Sequence, residues 1–98
     1  MAAWLIVTAK VYDRERFMTG YAPAAAELLG RFGGRYVIRA PGAVWLEGDG
    51  PDGISVVVSE WPNKAAALAF WNSQEYTAVK RMREGLADVT VLLVEEPG

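Results

Sequence analysis

The chain contains no cysteine and no histidine. Lacking cysteine, it can form no disulfide framework, thiol nucleophile or thiolate metal site. Lacking histidine, it can have no Ser-His-Asp triad, imidazole general base or His-ligated haem. Acid–base work would fall to Glu, Asp, Tyr or Lys. A metal could bind only through oxygen ligands, and no EF-hand-type carboxylate loop is present, so no metal or cofactor is expected. Long hydrophobic runs are missing too. The apolar stretch from Ala2 to Ala9 is too short to span a bilayer and has no basic residue before it, so it reads as a strand and not as a signal peptide. A cytoplasmic location and no membrane partner are the default expectation. Nor is there a surplus of positive charge: ten Lys and Arg face twelve Asp and Glu, giving a net charge of −2 and a pI near 5.0. Nucleic-acid binders usually carry a basic patch that displaces counterions from phosphates. The one local cluster, Lys80, Arg81 and Arg83, reads as helix-surface charge, so no nucleic-acid partner is expected.

At 98 residues, 52% hydrophobic and 22% charged, the chain has the composition of an ordinary globular domain spanning residues 1–98. Trp4 to Val11 is rich in β-branched and apolar residues, as in a strand buried on both faces. Asp13 offers an N-cap, with Glu15 in the first turn where negative charge suits the helix dipole. Phe17, Tyr21, Ala25, Leu28 and Phe32 then follow at helical spacing. Pro23 should kink this helix or restart it near Tyr21, and Gly33-Gly34 should end it. Arg35 to Arg39 predicts a second strand. A turn-rich stretch follows, within which Ala43 to Glu47 could form a brief extra strand. Ile54 to Trp61 predicts a third strand, stopped by Pro62. Asn63 should cap a second helix, and Ser73 a further helical segment reaching about Leu86. Val89 to Val94 predicts the last strand. The order β-α-β-β-α-β implies an α+β, ferredoxin-like fold, with a four-stranded antiparallel sheet and two helices on one face.

Alternation along the strands puts Leu5, Val7, Ala9 and Val11 on one face and Trp4, Ile6 and Thr8 on the other. Ile54, Val56 and Val58 oppose Ser55, Val57, Ser59 and Trp61 in the same way, as Val89, Val91 and Leu93 oppose Thr90, Leu92 and Val94. Two helices cover only one face. The other, about 300 Å² in projected area, is about as large as the biggest apolar patch a monomer tolerates. A homodimer packed through this open face is therefore expected.

In order along nearly the whole chain, a set of landmarks resembles a bacterial family known as domain of unknown function 1330, within the dimeric α/β-barrel superfamily. They are Tyr21, Gly33-Gly34-Arg35-Tyr36, Val37-Ile38-Arg39, Leu46-Glu47-Gly48-Asp49, Glu60-Trp61-Pro62, Ala66, Phe70-Trp71, Ser73-Gln74-Glu75-Tyr76, Arg83 and Leu93-Val94-Glu95. The resemblance implies a ferredoxin-like protomer and a sheet-to-sheet dimer, and no established activity. The wider superfamily includes cofactor-independent monooxygenases, small isomerases, haem degraders and stress-responsive barrels, which shows how many sites one scaffold carries. The haem degraders use a histidine that this chain lacks.

Candidate site residues follow from chemistry. Tyr21 is either a core tyrosine or a hydroxyl lining a helix–sheet cavity. Trp71, Tyr76 and Arg83 gather around the break in the second helix. An Arg on a packing face needs an ion-pair partner, such as Glu47 or Glu60, or else an anionic ligand. Arg35 and Arg39 share a strand face by alternation, as solvated charge or as ligand contacts. Glu47 and Glu60 each end an apolar run, where partial burial would raise the carboxyl pKa and suit a catalytic base. Two functions compete on this evidence. One is a small cofactor-independent enzyme, monooxygenase- or isomerase-like, acting on an apolar or aromatic acid, in which Glu47 or Glu60 moves a proton while Arg83 and Tyr21 stabilise an oxyanion. The other is a non-catalytic small-molecule-binding or stress-related dimer.

Overall fold

Four strands, Ala3–Val11 (β1), Arg35–Ala40 (β2), Ser55–Trp61 (β3) and Ala87–Glu95 (β4), form one sheet in the order β2-β3-β1-β4 in the computed structural model, which describes all residues 1–98. Every pairing is antiparallel. The helices lie on one face: α1 (Arg14–Arg16), a π turn (Phe17–Tyr21) and α2 (Ala22–Arg31) in the first connection, then α3 (Lys64–Trp71), α4 (Gln74–Lys80) and a 3-10 turn (Arg81–Arg83) in the second. The molecule measures 34 × 32 × 17 Å, and its short dimension holds one sheet and one helical layer, leaving the far face of the sheet uncovered.

Local chemistry sets the helix ends. Asp13 accepts a hydrogen bond from the Arg16 amide, Asn63 from Ala66 and Ser73 from Tyr76, so each supplies the acceptor that a first turn lacks. Pro23 is the second residue of α2, which runs on from the π turn without a break, so the N–H it lacks falls where the helical hydrogen bonding is already irregular. At the other end of α2, Gly33 takes φ +93°, which closes the helix and turns the chain into β2. The second helical connection shortens sooner than its sequence suggests: α4 ends at Lys80, and residues 81–86 are a 3-10 turn and turns.

The core lies between sheet and helices, built from Ala3, Leu5, Ala25, Leu28, Leu29, Trp61, Ala67, Phe70 and Tyr76. Trp61 is 1% exposed, and its indole N–H donates to Ser59 Oγ at 3.0 Å, so the buried nitrogen is satisfied. Gly34 is required beside it, because a Cβ there would stand 2.7 Å from the Trp61 ring. Trp61, Phe70, Tyr76 and Trp71 form a run of aromatic contacts, with successive ring centroids 5.0, 4.4 and 5.4 Å apart.

Strand pairing confirms the alternation of β1, β3 and β4 and corrects that of β2. On the uncovered face Trp4 lies opposite Val94, Ile6 opposite Leu92 and Val58, and Thr8 opposite Thr90, with the two threonine hydroxyls hydrogen-bonded. In β2, Tyr36 pairs with Ser59 and Ile38 with Val58, so Val37 is an extra residue in a bulge. The bulge reverses the parity of the strand. Arg35, opposite Glu60, lies on the uncovered face, whereas Arg39, opposite Val57, faces the helices. The two arginines therefore do not share a face.

The expected extra strand at Ala43 to Glu47 does not form. Residues 41–53 make a largely exposed connection instead, tied to the buried Ile54 by the Ala43 N–H donating to Ile54 O at 3.0 Å. Within it Trp45 folds against Gly50 and donates its indole N–H to Pro51 O at 3.1 Å. Gly42, Gly48 and Gly53 all have positive φ, and this curvature leaves no extended run to pair with a neighbour.

Candidate functional site

A cavity of about 180 Å³ lies between the sheet and the first helical connection. Leu5, Val7, Ala9 and Val11 of β1, Val57 of β3 and Val89 and Val91 of β4 form its floor, and Phe17, Met18, Tyr21, Ala25 and Leu29 its roof. An apolar void of about 150 Å³ takes up a benzene-sized molecule, so this one accommodates a ring system. The polar groups in its wall are few: Arg14, Arg39 and Arg83, Tyr21, Tyr36 and Tyr76, and Ser55 and Ser59. No Asp or Glu belongs to the wall. The cavity is thus an apolar space whose formal charges are all positive.

The side chains at its centre come from three elements. Tyr21, from the π turn, and Tyr76, from α4, share a hydrogen bond of 2.7 Å between their hydroxyls. Tyr76 is held by the aromatic run and is 4% exposed. Phe17 supports Tyr21, with ring centroids 5.1 Å apart. Burial raises the pKa of Tyr21 well above the ordinary phenol value; Tyr76 adds to that shift, and the opposing charge of Arg83 does not cancel it. Tyr21 therefore stays a neutral phenol and a hydrogen-bond donor across the physiological range.

Arg83 approaches from the 3-10 turn, its guanidinium carbon 5.7 Å from the Tyr21 ring centroid. It is in no salt bridge, and its Nε is out of solvent with no hydrogen-bond partner. The ion pair with Glu47, Glu60 or another carboxylate that would explain it structurally is not made. At the rim, Arg39 stacks on Tyr36 with its guanidinium carbon 4.4 Å from the ring centroid. Burial also raises the pKa of Tyr36, with Arg39 opposing.

Tyr21, Arg39, Trp71, Tyr76 and Arg83 thus come together in one cavity wall, and Arg35, Glu47 and Glu60 do not belong to it. Glu60 points to the uncovered face, where its carboxylate accepts from Arg35 Nε at 3.0 Å and Nη2 at 2.5 Å. Glu47 is exposed in the 41–53 connection. Sequence reasoning missed Tyr36 and Arg14. Tyr36 carried no usable signal: three residues from Arg39, it shares that residue's face only because of the bulge. No cluster of acidic side chains suited to a metal ion is present. No helix is long and apolar enough to cross a membrane.

Solved structures with this fold are numerous and distant in sequence. A protein of unknown function from Rhodopseudomonas palustris superposes with a TM-score of 0.78 at 15% identity, over 99% of this chain and 83% of that one. A dimeric ferredoxin-like protein of unknown function from Jannaschia sp. gives 0.75 at 12% identity, over 98% and 100%. SnoaB, a cofactor-independent oxygenase from Streptomyces nogalater, gives 0.72 at 13% identity, over 99% and 94%. At such identities the likeness establishes a shared fold. No curated protein matches the chain. The profile of one family, described only as a domain of unknown function (DUF1330), matches residues 2–97, and the chain belongs to that family.

Proposed function

We propose that the protein is a small cofactor-independent enzyme, monooxygenase- or isomerase-like, whose cavity takes a flat, largely apolar acid and holds it as its anion. One observation carries this reading: the buried, unpartnered Nε of Arg83 stands beside the Tyr21–Tyr76 hydroxyl pair in a wall that holds no carboxylate. An unpaired guanidinium in an apolar site strongly favours a negative charge nearby. The phenol pair keeps one O–H free to donate, because only one of its two hydrogens is used between the oxygens. Together they stabilise an enolate or phenolate where it develops, which lowers the pKa of the bound acid without a metal. Cofactor-independent chemistry in the SnoaB relative of the fold supports the same class. Proton removal through Glu47 or Glu60 has no support from their positions, so we assign the departing proton to water at the cavity rim.

The protein is further proposed to act as a homodimer through the uncovered sheet face, in the cytoplasm. The dimeric ferredoxin-like neighbour supports pairing. So does the exposure of Ile38, Leu92 and Val94 at 45%, 64% and 43% in the single chain.

The test is binding of 2-naphthoate against its neutral isostere 2-naphthamide, followed by calorimetry and by intrinsic tryptophan fluorescence, to which Trp71 in the cavity wall contributes. The acid should bind at least about tenfold tighter, and Arg83→Met should abolish that preference. Equal affinities for the two probes would overturn the reading. A second reading, a non-catalytic binder, is favoured by the lack of any carboxylate in the wall. Incubating the protein in air with hydroxynaphthoates separates the two: a product that Tyr21→Phe suppresses supports the enzyme, and binding without product supports the binder.

A further inference from the structure

The basic cluster Lys80, Arg81 and Arg83 is not held by counter-charges. None of its three side chains forms a salt bridge. Lys80 instead places its ammonium 4.6 Å from the centroid of the Trp71 ring. Outside the cavity these residues line an open groove together with Thr77, Glu84, Val89 and Val91. Four residues, Trp71, Arg83, Val89 and Val91, belong to the walls of both the groove and the cavity. The two spaces are therefore neighbours separated by a single layer of side chains, and Arg83 is the charged member of that layer. The groove carries three positive side chains against one Glu, whereas the chain as a whole is net negative.

We propose that this groove is the entry site for the cavity's ligand: an organic anion is captured over Lys80 and Arg81 and passes Arg83 to reach Tyr21. This rests on the cavity's being an anion site. A local positive field on a negative protein concentrates an anion at that one place and raises its rate of encounter. Arg83 can exchange between the two spaces at low cost, because it has no ion pair to break. A charge that guides entry without touching the bound ligand alters the association rate and leaves dissociation nearly unchanged.

Stopped-flow mixing with 2-naphthoate and 2-naphthamide reads both rates. In K80E/R81E, association of 2-naphthoate at low salt should fall about tenfold and dissociation should stay within about twofold. Association of 2-naphthamide should not change. The same loss should appear in Arg81→Glu alone, to a smaller extent, and in wild type as salt is raised. Arg81 is exposed, Lys80 is half-buried against Trp71, and the melting temperature of each variant reports whether it is folded. Unchanged association of the anion in the folded variants would overturn the portal, as would an equal loss for the neutral probe. If wild type fails to bind 2-naphthoate, the anion cavity falls and the portal with it. If Arg83→Met weakens binding while K80E/R81E leaves association intact, the portal alone is wrong.

Discussion

The hydroxyls of Tyr21 and Tyr76, 55 residues apart in sequence, share a 2.7 Å hydrogen bond that joins the π turn to α4 across the cavity. Each hydroxyl is the partner that keeps the other from being buried and unsatisfied. Removing one leaves the full desolvation cost on its neighbour, whereas removing both does not. Tyr76→Phe should therefore destabilise the fold by about 1–3 kcal/mol. The double variant Y21F/Y76F should lose less than the sum of the two single changes. Urea denaturation of the four proteins gives the cycle, and strict additivity would show that the bond contributes no coupling.

Alkaline stability follows from the same tyrosine. The pKa of Tyr21 is higher in the folded protein than the ordinary value of 10.0, so the folded state holds its proton more tightly than the unfolded state. The stabilisation is complete below about pH 10 and is lost as pH rises toward the folded-state value. Tyr36 shifts in the same direction, also chiefly through burial. Denaturant midpoints should thus decline above about pH 10. In a tyrosinate absorbance titration, Tyr21 and Tyr36 should ionise late, at or with unfolding. Full tyrosinate formation near pH 10 in a folded protein would contradict this.

Close approach of backbone to indole makes Gly34 hard to replace. A methyl there meets the buried Trp61 ring at 2.7 Å, and that ring is fixed by its bond to Ser59. Gly34→Ala should cost about 1–3 kcal/mol, the range for overpacking a tight core. Gly30→Ala is the control, because a Cβ there meets nothing within 4 Å. It lies within α2 and should be neutral or stabilising by up to about 1 kcal/mol. Melting temperatures of the two variants give the comparison.

The uncovered face predicts its own variant. Leu92 is 64% exposed in the single chain, so a lysine there would fit the protomer and put charge into the proposed sheet–sheet contact. Leu92→Lys should retain the circular dichroism of the wild type while light scattering moves from the dimer to 10.7 kDa, the mass of one chain. A wild-type mass already at that value at micromolar concentration would remove the dimer.

Arg35 and Glu60 form an ion pair at 2.5 Å, yet the Arg35 side chain is 68% exposed. Surface pairs of this kind contribute at most about 1 kcal/mol. In the Leu92→Lys background, where the face stays open, Arg35→Ala should therefore shift the denaturation free energy by less than that, and it should leave cavity binding unaltered, because Arg35 faces away from the cavity.

Element order and helix caps were legible because each depends on adjacent residues. Asp13, Asn63 and Ser73 cap in place, and Pro23 announced a break that proved to be a π turn. Tyr21, Trp71, Tyr76 and Arg83 were legible as a group for a related reason, since each is a polar or aromatic residue on a helical packing face. For Glu60, alternation with Val56 and Val58 already gave the face opposite Trp61; what it could not give was that the helices cover the Trp61 side and that Arg35, 25 residues away, holds the carboxylate on the other. The extra strand at 43–47 misled through composition alone: Val44, Trp45 and Leu46 are strand-like, but Gly42, Gly48 and Gly53 curve the backbone around them. The bulge at Val37 left no local mark at all. It exists only as a mismatch of register between two strands.

That bulge works as a phase shifter. An odd residue between Tyr36 and Ile38 decides which compartment receives a guanidinium and which an isoleucine. Shortening β2 at Val37 would keep Arg39 toward the cavity. Ironing the bulge into regular pairing would instead send Arg39 to the face expected to meet a second copy, and turn Ile38 inward. The charge of the cavity and the greasiness of the opposite surface are therefore not independent traits. A single unpaired residue on an edge strand sets both.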